Sequence, residues 1–187
     1  MLTNPQPMVR EILLWPDPVL AKKAAPVDAV DAAVQALIAD LFDTMYAAPG
    51  VGLAAPQVGV LRQVLVLDTR SRQPESRPLA MVNPRIVERF GTTTYREGCL
   101  SIPGEAEEVE RAERVTVAYL DEAGEPQQLL CEGLLAIAVQ HETDHLQGVV
   151  YPDHLPPLTR LLLRKRMRAK KRERATGRSI VQLGEEL

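Results

Sequence analysis

The chain has 187 residues, 45% apolar and 25% charged, with a formal net charge of −3. This is the composition of one globular domain large enough to bury a core, and it excludes a disordered or low-complexity chain. No stretch approaches the roughly 20 apolar residues of a membrane span, and Met1–Pro7 has neither a basic start nor a long apolar run, so a single domain over residues 1–187, in the cytoplasm, is expected.

The first predicted element is a helix. Val30, Val34, Leu37, Leu41 and Met45, with Ile38 and Phe42, recur at helical spacing between Asp28 and Tyr46, capped by Asp28 or Asp31 and stopped at Pro49-Gly50. The following segment, GVGLAAPQVG from Gly50 to Gly59, is too rich in glycine and small residues for a plain helix or strand. Gln63–Asp68 (QVLVLD) reads as a buried strand, and Leu79–Asn83 and Arg85–Phe90 read as two more, punctuated by Pro84 and Gly91. In Glu97–Pro103 (EGCLSIP), Gly98 allows a tight backbone turn and Pro103 is expected to end any strand. Arg114–Leu120 alternates as a strand does, and Glu122–Glu125 looks like a hairpin turn into Gln127–Cys131. Helix formers then run from Gly133 through His145, with Gly148 just past the end. A proline-containing link, Tyr151–Pro157, leads to a last helix from Leu158 to about Ala175, and residues 179–187 are expected to be loose. Strands with irregularly interspersed helices favour an α+β fold, in which mostly antiparallel sheets pack around the central helix that runs from Gly133 through His145, over regular βαβ alternation.

The chemistry concentrates in His141-Glu142-Thr143-Asp144-His145. Residues four apart share one helix face, so the two imidazoles can grip one metal ion. Glu142 can then serve as general base toward a water activated by that ion. A catalytic site of this kind takes three protein ligands and keeps one position open, which raises the question of the third ligand. The extended protease pattern H-E-x-x-H-x-x-G-x-x-H places Gly148 correctly but ends on Tyr151, and no acid lies between Asp153 and Glu173 to serve as a downstream carboxylate ligand. Cys99 is the better candidate, because a thiolate binds divalent transition metals well. A lone cysteine is otherwise a small buried hydrophobe, the reading that Cys131 keeps, and both thiols are expected to stay reduced. An RNA-binding protein with a closed structural metal site would need a fourth ligand, and none is evident. Counting back from His141 by three, four and seven places Ala138, Ile137 and Leu134 on the ligand face, as an apolar wall beside the metal.

GVGLAAPQVG, EGCLSIP and QHETDHLQG, in this order and at these separations, resemble the three signature motifs of peptide deformylases, and the resemblance runs from about Val9 to Arg168. It implies a metal-dependent hydrolase that removes the N-terminal formyl group from formyl-methionyl nascent chains and releases formate. By motif, Cys99, His141 and His145 would bind the metal, Glu142 would be the acid/base, and Gln57 and the backbone N–H of Leu100 would serve the reacting oxygen. Gly50, Val51 and Gly52 would line the substrate, the loop backbone pairing with an extended peptide, and Tyr95 and Gly98 would join Leu134, Ile137 and Ala138 in the pocket. The resemblance also implies Fe(II) as the native ion, with nickel or cobalt as working substitutes and zinc less active, although the ligand set alone suits zinc. Glu97 is expected to make a structural salt bridge with Arg111, Asp144 to be an exposed helix acid rather than a group that orients a ligand imidazole, and His154 to lie on the surface.

Net charge conceals an asymmetry. Residues 160–178 hold ten basic residues and one acid, a net +9, which leaves twelve basic against twenty-four acidic residues elsewhere, a net −12. Leu158, Leu161, Leu162 and Met167 are expected to dock the last helix on the body, leaving its basic face for backbone-directed, salt-sensitive contact with ribosomal phosphates.

Overall fold

Four consecutive apolar residues, Val64 to Leu67, are fully buried, which requires cover on both faces of the strand they form. The computed structural model, which describes residues 8–175, supplies that cover. Strands β1 (Gly52–Ala54), β2 (Val64–Leu67), β3 (Leu79–Phe90), β6 (Arg114–Leu120) and β7 (Pro126–Glu132) form one antiparallel sheet in the order β1-β2-β3-β6-β7. Strands β4 (Thr93–Cys99) and β5 (Ile102–Arg111) pair separately as a two-stranded hairpin. Helix α1 (Ala32–Ala47) packs Leu37, Leu41 and Met45 on Val64, Val66, Ala80 and Val82. Helix α2 (Gly133–Leu146) packs Ala136, Val139 and Leu146 on the opposite face, against Leu65, Leu67 and Met81. Each such leucine or valine contributes about 1.5–3 kcal/mol by leaving water. The architecture is the expected α+β arrangement around a central helix.

Local sequence explains several boundaries. Asp31, not Asp28, caps α1, accepting from the Val34 N–H at 2.9 Å. The segment from Gly50 to Gly59 becomes β1 followed by a 3-10 turn, Ala55–Val58. Pro84 does not divide β3, contrary to the expectation of two strands. The register with β6 shifts between Val82 and Arg85, so the missing proline N–H falls where the ladder is already interrupted. Asn83 takes the strain there at φ 50°, and its side-chain amide bonds both backbone groups of Val27, at 2.8 and 2.7 Å. Pro103 likewise does not end a strand. It is the second residue of β5, in a hairpin whose acid-rich sequence, Gly104 to Glu110, carries little strand signal.

Two contacts hold α2 in place. Its first turn gets no side-chain cap from Glu132; instead Gln73, in the loop before β3, accepts from the Leu135 N–H at 3.0 Å. At its far end Gly148 sits at φ +75°, and a Cβ there would lie 2.7 Å from the Ala21 carbonyl oxygen.

Helix α3 (Pro157–Ala175) docks through Met167, as expected, but not through the three leucines expected with it. Leu163 and Met167 are its fully buried residues, packed with Leu14, Trp15, Leu20, Ile102 and Tyr151, while Leu158, Leu161 and Leu162 are exposed. The rotation follows the charges. Lys170 reaches Glu105 and the Pro103 carbonyl, Lys171 reaches Asp17, Arg166 reaches Glu105, and Arg174 reaches Glu11. Several of the tail's cations thus staple the helix to the acidic body. The segment expected to be loose, 179–187, lies outside the described residues.

Candidate active site

Helix α2 carries a run of buried polar residues, Gln140, His141, Glu142 and His145. Burying such groups is costly unless each has a partner. Gln140 spends its amide on Ala112, donating to its carbonyl at 2.9 Å and accepting from its N–H at 3.0 Å. His141 Nδ1 lies 2.8 Å from Glu97 Oε2, and because a carboxylate only accepts, Nδ1 carries the proton and Nε2 turns the other way. There it meets His145 and Cys99: the ligand-capable atoms of Cys99, His141 and His145 all lie within 4.8 Å of one another, with Cys99 Sγ 3.3 Å from His145 Nε2. The histidines come from α2, the helix that the sequence anticipates, and the cysteine from the end of β4, a strand that it does not.

This donor set suits a divalent ion. A thiolate and two imidazoles converge, one tautomer is fixed by a carboxylate behind it, and the buried Glu142 Oε2 has no hydrogen-bond partner. The electrostatics agree. Burial works against charge on both histidines, but the neighbouring Cys99 and Glu97 draw the His141 proton affinity well above its ordinary value, while His145 is driven well below. Burial also pushes the Glu142 carboxyl up to about 7. Cys131, buried in β7 away from this cluster, has its thiol pushed up to about 12 by burial.

Glu97 is tied on both sides. Arg111 donates to its two oxygens at 2.6 and 3.0 Å, which, against the cost of burial, holds the carboxyl below its usual range together with the His141 contact. The expected Glu97–Arg111 pair therefore forms, and it also orients a candidate ligand. Asp144 departs from expectation. It is no exposed helix acid: its side chain is 25% exposed and bonds Arg111 at 2.6 Å and His154 at 2.8 Å. His154 is exposed, as expected, yet it closes a chain of contacts that runs from His141 through Glu97, Arg111 and Asp144. Sequence spacing cannot find that chain, because its members come from β4, β5, α2 and the turn after it.

A cleft of about 410 Å³ opens beside these residues. Gly50, Val51, Gly52, Tyr95, Gly98, Leu134, Ile137 and Ala138 all line it, with Cys99, Leu100, His141 and Glu142. Gly52 is required by proximity: a Cβ there would lie 2.5 Å from Glu142 Oε1. Gln57 is 1% exposed and lies against Cys99. Its carbonyl accepts from the Ala54 N–H at 2.8 Å, which turns Nε2 toward Ser101 Oγ at 3.2 Å and Cys99 Sγ at 3.5 Å. Tyr151 packs its ring on His141 with centroids 6.3 Å apart. Sequence reading missed Arg72 and Arg96, which also line the cleft, and Gln73, which caps α2 beneath it.

The sequence model of the polypeptide deformylases matches residues 9–161. A peptide deformylase 2 of Xanthomonas campestris pv. campestris is 49% identical over 159 residues, which is 83% of this chain and 92% of that one. The crystal structure of a peptide deformylase from Legionella pneumophila superposes with a TM-score of 0.83 at 46% identity, covering 89% of this chain and 98% of that one. Peptide deformylase from Ehrlichia chaffeensis in complex with actinonin gives a TM-score of 0.84 at 35% identity, covering 88% and 99%.

Proposed function

On the premise that this chain belongs to the polypeptide deformylase family, we propose how its residues divide the work of that reaction. The enzyme removes the N-terminal formyl group of formyl-methionyl nascent polypeptides, releasing formate, and uses one metal ion. Cys99, His141 and His145 hold the ion; their convergence beneath an open cleft is the observation that carries this assignment. When bound, the ion supplies a Lewis acid that makes water acidic near neutral pH. Glu142, buried at the cleft floor beside His141, takes the proton of the attacking water and returns it to the amine nitrogen as the formyl C–N bond breaks. Gln57 Nε2 and the Leu100 N–H donate to the oxyanion that develops on the formyl oxygen, each donor worth about 3–4 kcal/mol of barrier. The fixed orientation of the Gln57 amide, set by Ala54, supports this role. The Gly50–Gly52 backbone and Gly98 hold the extended peptide, and Val51, Tyr95, Leu134, Ile137 and Ala138 receive the methionine side chain.

Fe(II) is the native ion on this reading, with nickel and cobalt as active substitutes and zinc less active. Metal analysis after anaerobic purification, paired with activity, tests it; full activity with zinc alone would overturn iron. The whole chain, 1–187, serves as one catalytic domain acting in the cytoplasm; no described helix is long and apolar enough to cross a membrane. The cations of α3 not engaged with the body, Arg164, Lys165, Arg168 and Arg172, contact ribosomal phosphate; truncation after Leu158 then weakens ribosome cosedimentation at low salt, and unchanged cosedimentation removes the idea.

The assignment of chemistry is tested by formate release from formyl-Met-Ala-Ser, run beside a casein digest. Glu142→Ala retains its metal and loses about 10²–10⁴-fold in turnover. A metal-replete Glu142→Ala with wild-type turnover would refute the base.

A further inference from the structure

Two arginines at the mouth of the cleft take no part in the chemistry above. Arg72 and Arg96 both line the cavity that leads to Glu142 and His141. They come from separate elements, Arg72 from the loop between β2 and β3 and Arg96 from β4. That loop is pinned in place. Arg72 and Gln73 both donate their N–H groups to the Thr69 carbonyl, Thr69 Oγ1 donates to Ser76 Oγ at 2.8 Å, and Gln73 caps α2 through Leu135. The Arg72 guanidinium donates to the Tyr95 hydroxyl at 3.2 Å, which holds it beside the cleft wall. Arg96 stands opposite Glu108 in the hairpin register, yet its side chain makes no ion pair or hydrogen bond with any described residue. The only acids lining the cavity, Glu97 and Glu142, are 3% and 5% exposed, and Glu97 is committed to Arg111 and His141.

The residues that line the cleft therefore offer a bound peptide two positive charges and no exposed carboxylate; Glu108, across the hairpin from Arg96, lies outside that lining. With the first residue against Leu134, Ile137 and Ala138, as proposed above, the residues that follow can pass the rim that Arg72 and Arg96 line. A guanidinium is the side chain best matched to a carboxylate in charge and in fork geometry. Resting on the deformylase reading, we propose that Arg72 and Arg96 make this enzyme favour nascent chains with an acidic side chain at the second or third residue. Both arginines are exposed, so the preference is modest and screened by salt.

The full-length, metal-loaded enzyme is tested with formyl-Met-Glu-Ser and formyl-Met-Ala-Glu against the same peptides carrying lysine for glutamate. At about 0.01 M salt, where the screening length is about 30 Å, kcat/KM is about two- to fivefold higher for the glutamyl peptides, and the ratio falls toward one at about 1 M salt. The double variant Arg72→Glu/Arg96→Glu inverts the ratio, whereas Arg89→Glu, the same charge reversal at the distant end of β3, leaves it unchanged. Equal kcat/KM for the two peptide sets in the wild type at low salt would overturn the proposal, as would a preference that survives the double reversal. Formate release from neutral formyl-Met-Ala-Ser keeps the two readings apart: its absence counts against the deformylase chemistry, and normal release with a ratio of one counts against the arginines alone.

Discussion

His141 is oriented by one hydrogen bond, from Nδ1 to Glu97 Oε2, and Glu97 is oriented in turn by Arg111 and, beyond it, Asp144. A ligand imidazole whose outer nitrogen is held by a carboxylate keeps the correct tautomer and ring plane, and loss of such a partner weakens metal binding about 10–100-fold. Glu97→Gln should show a loss of that size in chelator competition, with Cys99 and both histidines still present. Asp144→Asn acts one step further out and should cost less; equal losses in the two variants would mean that Arg111, not Glu97, sets the ring. At the pocket wall, Ala138 lines the cleft from one turn before His141. Ala138→Trp fills that space and should raise KM for formyl-methionyl peptides with little change in metal content; unchanged kinetics would take Ala138 out of the wall.

At the scale of the element, α3 has apolar residues on two faces and only one of them is used. Leu163→Ala removes a fully buried side chain and should cost about 2–5 kcal/mol, whereas Leu161→Ala, already half in water, should stay within about 0.5 kcal/mol, as read from denaturant midpoints. The electrostatic staples add a pH dependence of definite sign. Lys171 holds the Asp17 carboxyl below its usual range, and Lys170 and Arg166 do the same for Glu105 against the cost of its partial burial. Depressed carboxylates contribute stability that is complete above the ordinary carboxylate range and is lost as pH falls through their lowered values. Amide exchange in residues 160–174 should therefore accelerate selectively as the pH drops below about 4. Acceleration that begins near neutrality would mean that these pairs are not what fastens the helix.

Across the whole molecule, the three candidate ligands join the β4–β5 hairpin to the helix that underlies the main sheet. The hairpin is a sheet separate from the five-stranded one, so an ion held by these three residues would cross-link two parts of the fold. Anything that binds the folded state alone stabilises it by mass action, about 2.7 kcal/mol at a hundredfold excess over the dissociation constant. For a chain of this length that corresponds to about 5–10 °C. Chelation should lower Tm by that amount, and Cys99→Ala should bring the apo and metal-treated Tm values together. A Tm indifferent to chelator would sever the link between the site and the fold.

The amino-acid sequence by itself determined the local and repeating features: the helix through Leu37, Leu41 and Met45, the buried Val64–Leu67 strand, the His141–His145 pair on one helix face, and the motif set that includes Cys99. These are legible because period and spacing are properties of neighbouring residues. Only the tertiary structure decided that β3 runs on through Pro84, that the acid-rich hairpin forms strands, that Asp144 is engaged, and which face of α3 is buried. Each of those depends on a partner far along the chain: Val27 for Asn83, Arg111 for Asp144, Tyr151 and Trp15 for Leu163. No periodicity within a segment records what it will meet, and the free energy of meeting is what selects among the conformations its own residues allow.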